Sequence, residues 1–279
     1  MLGLKEVRSS GFTLVEMVMV IIILGVLVLG VSSFVILGTR IFVESTSVDQ
    51  VLSQSRFVME RMTREIRNAV PNSLRVTNNP ATFQCIEFVP IQGSASYLDI
   101  PIAPAASALT ATVMIPSQGI NPAQQMLVYP LLPEHIYSAT PIATEGRLLD
   151  IASFADIDTN TTTITFDRAV RFSEASPRSR FFMVRNAVSY CFFANGNIRR
   201  YNSYNMFRVT QPTPDQMGGD AASALMAESV VISDTSPIWP ISYTPGTLSN
   251  NAVVQLTPQF AVNEQAFQYQ HQVQVVNVP

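Results

Sequence analysis

Glu16 stands four residues into an apolar run, 12–38, that reads FTLVEMVMVIIILGVLVLGVSSFVILG. A carboxylate in such a run costs about 2.5–3.5 kcal/mol at a bilayer centre unless it pairs or reaches the interface. In an ordinary anchor it would snorkel to the interface. Cys85 and Cys191 are the two cysteines of the chain. In an oxidising compartment they are expected to pair, which in the chain-entropy model adds about 4–5 kcal/mol for so long a loop. The other reading is two buried thiols. His135 and His271 are the two histidines. His271 falls on the apolar face of a strand pattern and reads as a satisfied core residue, and His135 as an exposed one. Asp156, Asp158 and Asn160 alternate as at the start of a calcium loop, but Thr161 takes the sixth position, where such a loop needs glycine. A polar turn before a strand accounts for the same residues. Asp215 and Asp220 around Gly218-Gly219 are a weaker version.

The remaining chemistry is excluded by what is missing. The single lysine, Lys5, is not preceded by a phosphate-binding loop. There is no HExxH pair and no G-x-S-x-G elbow. No nucleophile–base pair or ligand set can be assembled, so no enzyme, metal or cofactor is expected. The net charge is −3, and removal of 1–11 with Lys5, Arg8 and Glu6 would make it −4. A mildly acidic chain without a basic patch is unsuited to nucleic acid.

The elements that hold these residues differ along the chain. Residues 1–11, MLGLKEVRSSG, are a short polar leader. The run 12–38 is long enough to cross a bilayer, which takes about 20 residues. A secretory signal has its small-residue cleavage site after the apolar region; here Gly11 precedes it. Lys5 and Arg8 on the N-terminal side predict a cytoplasmic N-terminus and a head outside the cytoplasm. Between Arg40 and Ala69 there is neither proline nor glycine. Ile41, Val48, Val51, Leu52, Phe57, Val58, Met62, Ile66 and Ala69 recur mostly at helical spacing, and Arg56, Glu60 and Arg64 and the pair Arg61 and Glu65 stand at i, i+4. The spacing predicts one helix over 12–69, ended by Pro71.

Beyond Pro71 short β-prone runs alternate with turn residues. Strands are predicted at 83–89, 110–115, 126–129, 161–166, 181–185, 188–193, 198–204, 229–233, 252–256 and 267–276. Asn195-Gly196 predicts a type I′ hairpin turn. In the last run Phe267, Tyr269, His271, Val273 and Val275 share one face and four glutamines the other. Residues 95–124 and 211–225 read as surface excursions. Tyr201, Tyr204, Phe207 and Trp239 could line an adhesive surface, though core packing is the commoner use of such residues.

The segment Gly11-Phe12-Thr13-Leu14-Val15-Glu16, with its leader, apolar run and helical continuation, resembles the processing site of type IV prepilins and pseudopilins. The resemblance implies a cut after Gly11 by a prepilin peptidase, N-methylation of Phe12 by the same peptidase/methyltransferase, and an assembly salt bridge between Glu16 and a neighbour's new amine. Its fold would be α+β, a long N-terminal helix, membrane half plus amphipathic half, on an antiparallel β-sheet head. The parts would be a leader (1–11), a transmembrane helix (12–38), its amphipathic continuation (39–70) and a periplasmic head (71–279). Main filament subunits often carry a mid-membrane proline, and this chain has none before Pro71, which suits a minor subunit. Segments 55–70, 85–91, 188–191, Gln211-Pro212-Thr213-Pro214 and the tail from His271 to Pro279 are similar to O-type minor pilins of the mannose-sensitive haemagglutinin pilus, and the wider pattern to J-type pseudopilins of type II secretion. Partners would be other major and minor pilins and the inner-membrane assembly platform. The role would be to prime or cap a pilus, with a secretion pseudopilin, a tip adhesin and, least favoured, an anchored enzyme as rivals.

Overall fold

The structure, a computed structural model, describes residues 11–79, 81–232, 239–247, 250–263 and 265–275. The leader up to residue 10, the last residues of the strands predicted at 229–233 and 267–276, and the tail 277–279 lie outside the described residues. With no proline to interrupt it, helix α1 spans Leu14–Arg67. The chain divides into two units at residues 50 and 51, both within this helix.

In the first unit α1 is apolar and exposed on all sides, from Leu14 to Val43. In the second unit it buries one face: Val51, Ser55, Val58, Met59, Met62 and Ile66. Phe57, predicted on that face, is 54% exposed, and Ser55 and Met59 stand in the stripe instead. Ser55 is tolerated there because its hydroxyl bonds Leu52 O (2.8 Å) and the Tyr269 hydroxyl (2.9 Å). Of the expected ion pairs, Arg61–Glu65 forms at 3.0 Å. Arg56, Glu60 and Arg64 make none among the described residues. Arg64 and Arg67 occupy the last turn, where free carbonyls favour cations.

The strands follow. β1 is Arg75–Asn79, β2 Phe83–Phe88, β3 Gly93–Asp99, β4 Ala108–Met114 and β5 Gln125–Val128. After a short helix, α2 (Glu134–Tyr137), come β6 (Glu145–Gly146), β7 (Leu148–Asp150), β8 (Ser153–Asp156), β9 (Thr161–Phe172) and β10 (Arg180–Val184). β11 is Val188–Phe193, β12 Ile198–Tyr201, β13 Ser223–Ala227 and β14 Ile241–Thr244. The last are β15 (Ala252–Leu256), β16 (Gln259–Val262), β17 (Gln265–Gln268) and β18 (His271–Val275).

A five-stranded sheet runs β1-β2-β11-β12-β13, all antiparallel. A three-stranded one runs β14-β15-β18. Their apolar faces share one core with α1: Val58, Met62 and Ile66 lie with Ile86, Phe88, Tyr190, Val254 and Val273. The central pair β2–β11 is buried on both faces, which is why those strands read as nearly unbroken apolar runs. On the far face sit Cys85, Cys191, Tyr201 and Met217.

The strands between β2 and β11 form a separate sheet, β6-β9-β4-β3-β10-β5-β7, with β8 on β9. It has a core of its own, including Val113, Ile164, Phe166, Phe172, Phe181 and Met183. The head is thus a pair of paired strands with an inserted lobe, and the expected α+β architecture of a long helix and an antiparallel-rich β head is what the chain adopts.

Several expectations are corrected. The stretch 95–124 contains most of β3 and all of β4, because Tyr97, Ala111 and Val113 take a buried face while their neighbours Ser96, Leu98, Thr110, Thr112 and Met114 do not. The 211–225 stretch holds two 3-10 turns and the start of β13. No strand forms over 229–232; Val230 makes only an isolated bridge to Phe260. The 267–276 run keeps its alternation of burial but is split at Tyr269-Gln270, β17 pairing with β16 and β18 with β15. Between Phe193 and Asn197, whose N–H and carbonyl are bonded (2.9 Å), the β11–β12 loop has three residues, with Gly196 N–H bonded to Phe193 O (3.0 Å) and, of the three, only Gly196 at positive φ (88°). That is a type I turn closed by a left-handed glycine, not type I′. A side chain at Gly196 would also meet Val230 O at 3.1 Å.

Candidate processing and assembly segment

The helix begins where a threonine can cap it. Thr13 Oγ1 accepts the Glu16 N–H (3.3 Å), and Thr13 O accepts those of Glu16 (3.1 Å) and Met17 (3.2 Å). Thr13-x-x-Glu16 is the sequence of a capping box. The cap holds Gly11, Phe12 and Thr13 outside the helix, and all three are exposed. The Gly11–Phe12 peptide bond therefore lies in non-helical backbone, the form in which a protease can engage it. Gly11 has open space where a side chain would be, and Phe12 is 75% exposed. Glu16 sits in the first turn, where the helix's free N–H groups favour a negative charge. From there the helix presents apolar side chains in every direction, and it is the one described helix long and apolar enough to cross a membrane.

The other predicted residues fall into the head. Cys85 and Cys191 face each other across the β2–β11 pair and are joined as a disulfide, with Cα atoms 4.1 Å apart. His271 is half-buried, and its Nε2 is buried without a partner among the described residues, so it is not the satisfied core residue predicted. His135 is half-buried rather than exposed. Its Nδ1 accepts the Leu131 N–H at 3.1 Å, and burial, helped by the Arg147 charge, lowers its pKa. Asp158 Oδ1 accepts the N–H groups of Asn160 (2.7 Å) and Thr161 (2.8 Å), a turn-forming use of the carboxylate. Asp220 pairs with Arg199 at 3.1 Å. Tyr201 is fully buried, Tyr204 and Phe207 pack on one core and Trp239 on another. These four aromatics form no common surface.

Sequence reasoning missed a buried charge. Glu87 on β2 is fully buried, in an ion pair with Arg75 of β1. The Tyr204 hydroxyl donates to Glu87 Oε1 (2.8 Å), and Ser189 bonds that hydroxyl (2.7 Å). The Arg75 guanidinium lies 3.6 Å over the Tyr137 ring and donates to Arg208 O (3.0 Å) and Val209 O (3.1 Å). Burial raises the Glu87 pKa, against the opposing pull of Arg75 and Tyr204. The signal in the sequence was a lone glutamate inside the apolar run 85–89. A second link went unseen: Arg200 of β12 reaches Glu65 of α1 at 2.9 Å, tying helix to sheet.

Residues 7–32 match the profile of the family described as Prokaryotic N-terminal methylation motif. No curated protein and no solved structure matches the chain. The match covers the cap, the Gly11–Phe12 bond, Glu16 and the first turns of the apolar helix. It supports a type IV pilin-like or pseudopilin-like protein, and such a motif implies processing by a prepilin peptidase and assembly with other pilins.

Proposed function

We propose that the protein is a minor pilin: a non-catalytic structural subunit that helps to initiate or cap a type IV pilus, of the mannose-sensitive haemagglutinin type. The carrying observation is the junction of an exposed, non-helical Gly11–Phe12 bond with a Thr13-capped, all-round apolar helix bearing Glu16 in its first turn. Cleavage after Gly11 would create an amine at Phe12, at the helix end where a positive charge is least welcome. That amine needs a carboxylate, and in a crowded membrane filament the Glu16 of a neighbour supplies one at a lower desolvation cost to both. The large inserted lobe makes the head bulky, which favours a position where lateral packing is limited, at the end of a filament. The head would face the periplasm, and its partners would be major and minor pilins, the peptidase/methyltransferase and the inner-membrane assembly platform.

Intact-mass analysis of the protein from its native membrane, with and without the peptidase, tests this. Loss of residues 1–11 and gain of one methyl group, only with the peptidase, is the expected result. An uncut chain in both strains would sink the reading. A type II secretion pseudopilin would share the same N-terminus. Co-purification with sheared pili, in substoichiometric amount, separates the pilus reading from that one.

A further inference from the structure

Ile157-Asp158-Thr159-Asn160 links β8 to β9, which opens with Thr161-Thr162, and the processing segment leaves this turn unexplained. Its calcium reading fails on geometry: Asp158 is occupied with backbone N–H groups, and among the described residues no three acidic, histidine or cysteine side chains cluster as a metal site would need. Two features remain. Asn160 is exposed at the turn, its carboxamide makes no hydrogen bond among the described residues, and its backbone is pinned by the Ile115 N–H on its carbonyl (2.8 Å). Thr162 is fully buried, and its hydroxyl has no hydrogen-bond partner among the described residues. Valine has the same shape and would fill that site without stranding a hydroxyl. Packing therefore explains a β-branched residue at 162 but not the oxygen on it.

Asn-x-Thr, with x other than proline, is the acceptor tripeptide of asparagine-linked glycosylation, in which the transferring enzyme reads the threonine hydroxyl. The bacterial form of the signal adds an acidic residue two positions before the asparagine, where Asp158 stands. The geometry points to Asn160 as the acceptor of an N-linked glycan, attached before β8 and β9 close. This rests on the proposed export of the head. In the transfer, Asn160 Nδ2 forms a bond to the anomeric carbon of a polyprenyl-diphosphate-linked oligosaccharide. The anomeric carbon–oxygen bond to phosphate breaks, the polyprenyl diphosphate leaves with the electron pair, and one amide proton passes to a base of the enzyme. The timing follows from register. Thr162 pairs with Asp156 on one side and Val113 on the other, so its hydroxyl is out of an enzyme's reach once the sheet has formed. Afterwards the glycan would stand on a turn whose neighbours, 152–160, are all exposed.

The test is to express the full chain, with a known acceptor pentapeptide fused after Pro279, in a bacterium carrying an asparagine-specific oligosaccharyltransferase and its lipid-linked glycan. The expected product carries two glycans by mass, one on the tag and one on the peptide containing Asn160. Asn160→Gln and Thr162→Val should each remove only the second, and Thr162→Ser should keep it. A glycan on the tag alone would overturn the proposal. No glycan on either would show that the head does not reach the glycosylating compartment, which defeats the proposed topology and this inference with it. Purified folded chain, incubated with the same enzyme and donor, should remain unmodified at Asn160 while its denatured form is modified. Equal modification of both would overturn the timing.

Discussion

At the scale of single residues, two buried polar groups make opposite statements. The Thr162 hydroxyl is buried without a partner among the described residues, and such a group costs about 1–3 kcal/mol. Thr162→Val should therefore raise the stability of the head by about that amount, read as a higher urea midpoint at unchanged slope. Glu87 is buried with partners: Arg75, and through Tyr204 also Ser189. Because burial raises its folded-state pKa, the folded protein holds the Glu87 proton more tightly than the unfolded chain does. The stability this contributes is complete below the unfolded pKa of about 4.3 and is lost as pH rises through the folded value. Measured against Glu87→Gln, which cannot titrate, the wild type should lose ground in urea denaturation as pH rises from about 4. A difference that moves the other way would mean that Arg75 and Tyr204 outweigh burial. Glu87 stands out as a lone glutamate in an apolar run, but the surroundings of neither group were legible beforehand. An orphaned hydroxyl looks like any strand threonine, and the partners of Glu87 are brought in from β1 and from the chain after β12.

At the scale of elements, legibility followed the range of the interactions. α1 was readable because its signals are local: no proline, apolar residues every three or four positions, and a proline to stop it. The strand pattern at the C-terminus was readable as alternation, yet the break at Tyr269-Gln270 was not, since nothing local says that two halves of one pattern pair with different strands. Phe57 was misplaced because its spacing is not helical: it comes five residues after Leu52 and one before Val58, which at 3.6 residues per turn puts it nearly opposite the buried stripe. Met62, by contrast, is fully buried between α1 and the sheets. Met62→Ala should cost about 2–5 kcal/mol of head stability, whereas Phe57→Ala should stay within about 0.5 kcal/mol. The β2–β11 pair is the element on which the head depends most, because the whole inserted lobe leaves from one strand and returns to the other. The Cys85–Cys191 bond locks that pair with 106 residues of separation. Replacing both cysteines by alanine should cost about 2–5 kcal/mol, seen as a lower melting temperature that reducing agent reproduces in the wild type.

At the scale of the whole molecule, the chain separates a segment built for lipid and processing from a head built for water. The first is written in about thirty contiguous residues, and its chemistry is therefore legible in sequence: a small residue before an aromatic, a carboxylate, an uncharged run; the Thr13 cap was not read there and came from the structure. The head's role is not, because assembly surfaces are set by which strands meet. Glu16 is where the two scales connect. It makes no ion pair among the described residues and lies in the first turn of a helix that carries no other charge before Arg40. If its use is to receive a neighbour's Phe12 amine, then Glu16→Ala removes the partner without touching the cut site, the cap at Thr13 or the head. The variant should be cut after Gly11, accumulate in the inner membrane with an unchanged head melting temperature, and be depleted at least tenfold from sheared pili. Gly11→Leu should act one step earlier, leaving the leader attached because the open position beside the Gly11–Phe12 bond is filled. A Glu16→Ala chain that enters pili at the wild-type level would show that the carboxylate serves the isolated anchor, as a group reaching the interface, and not the joining of subunits.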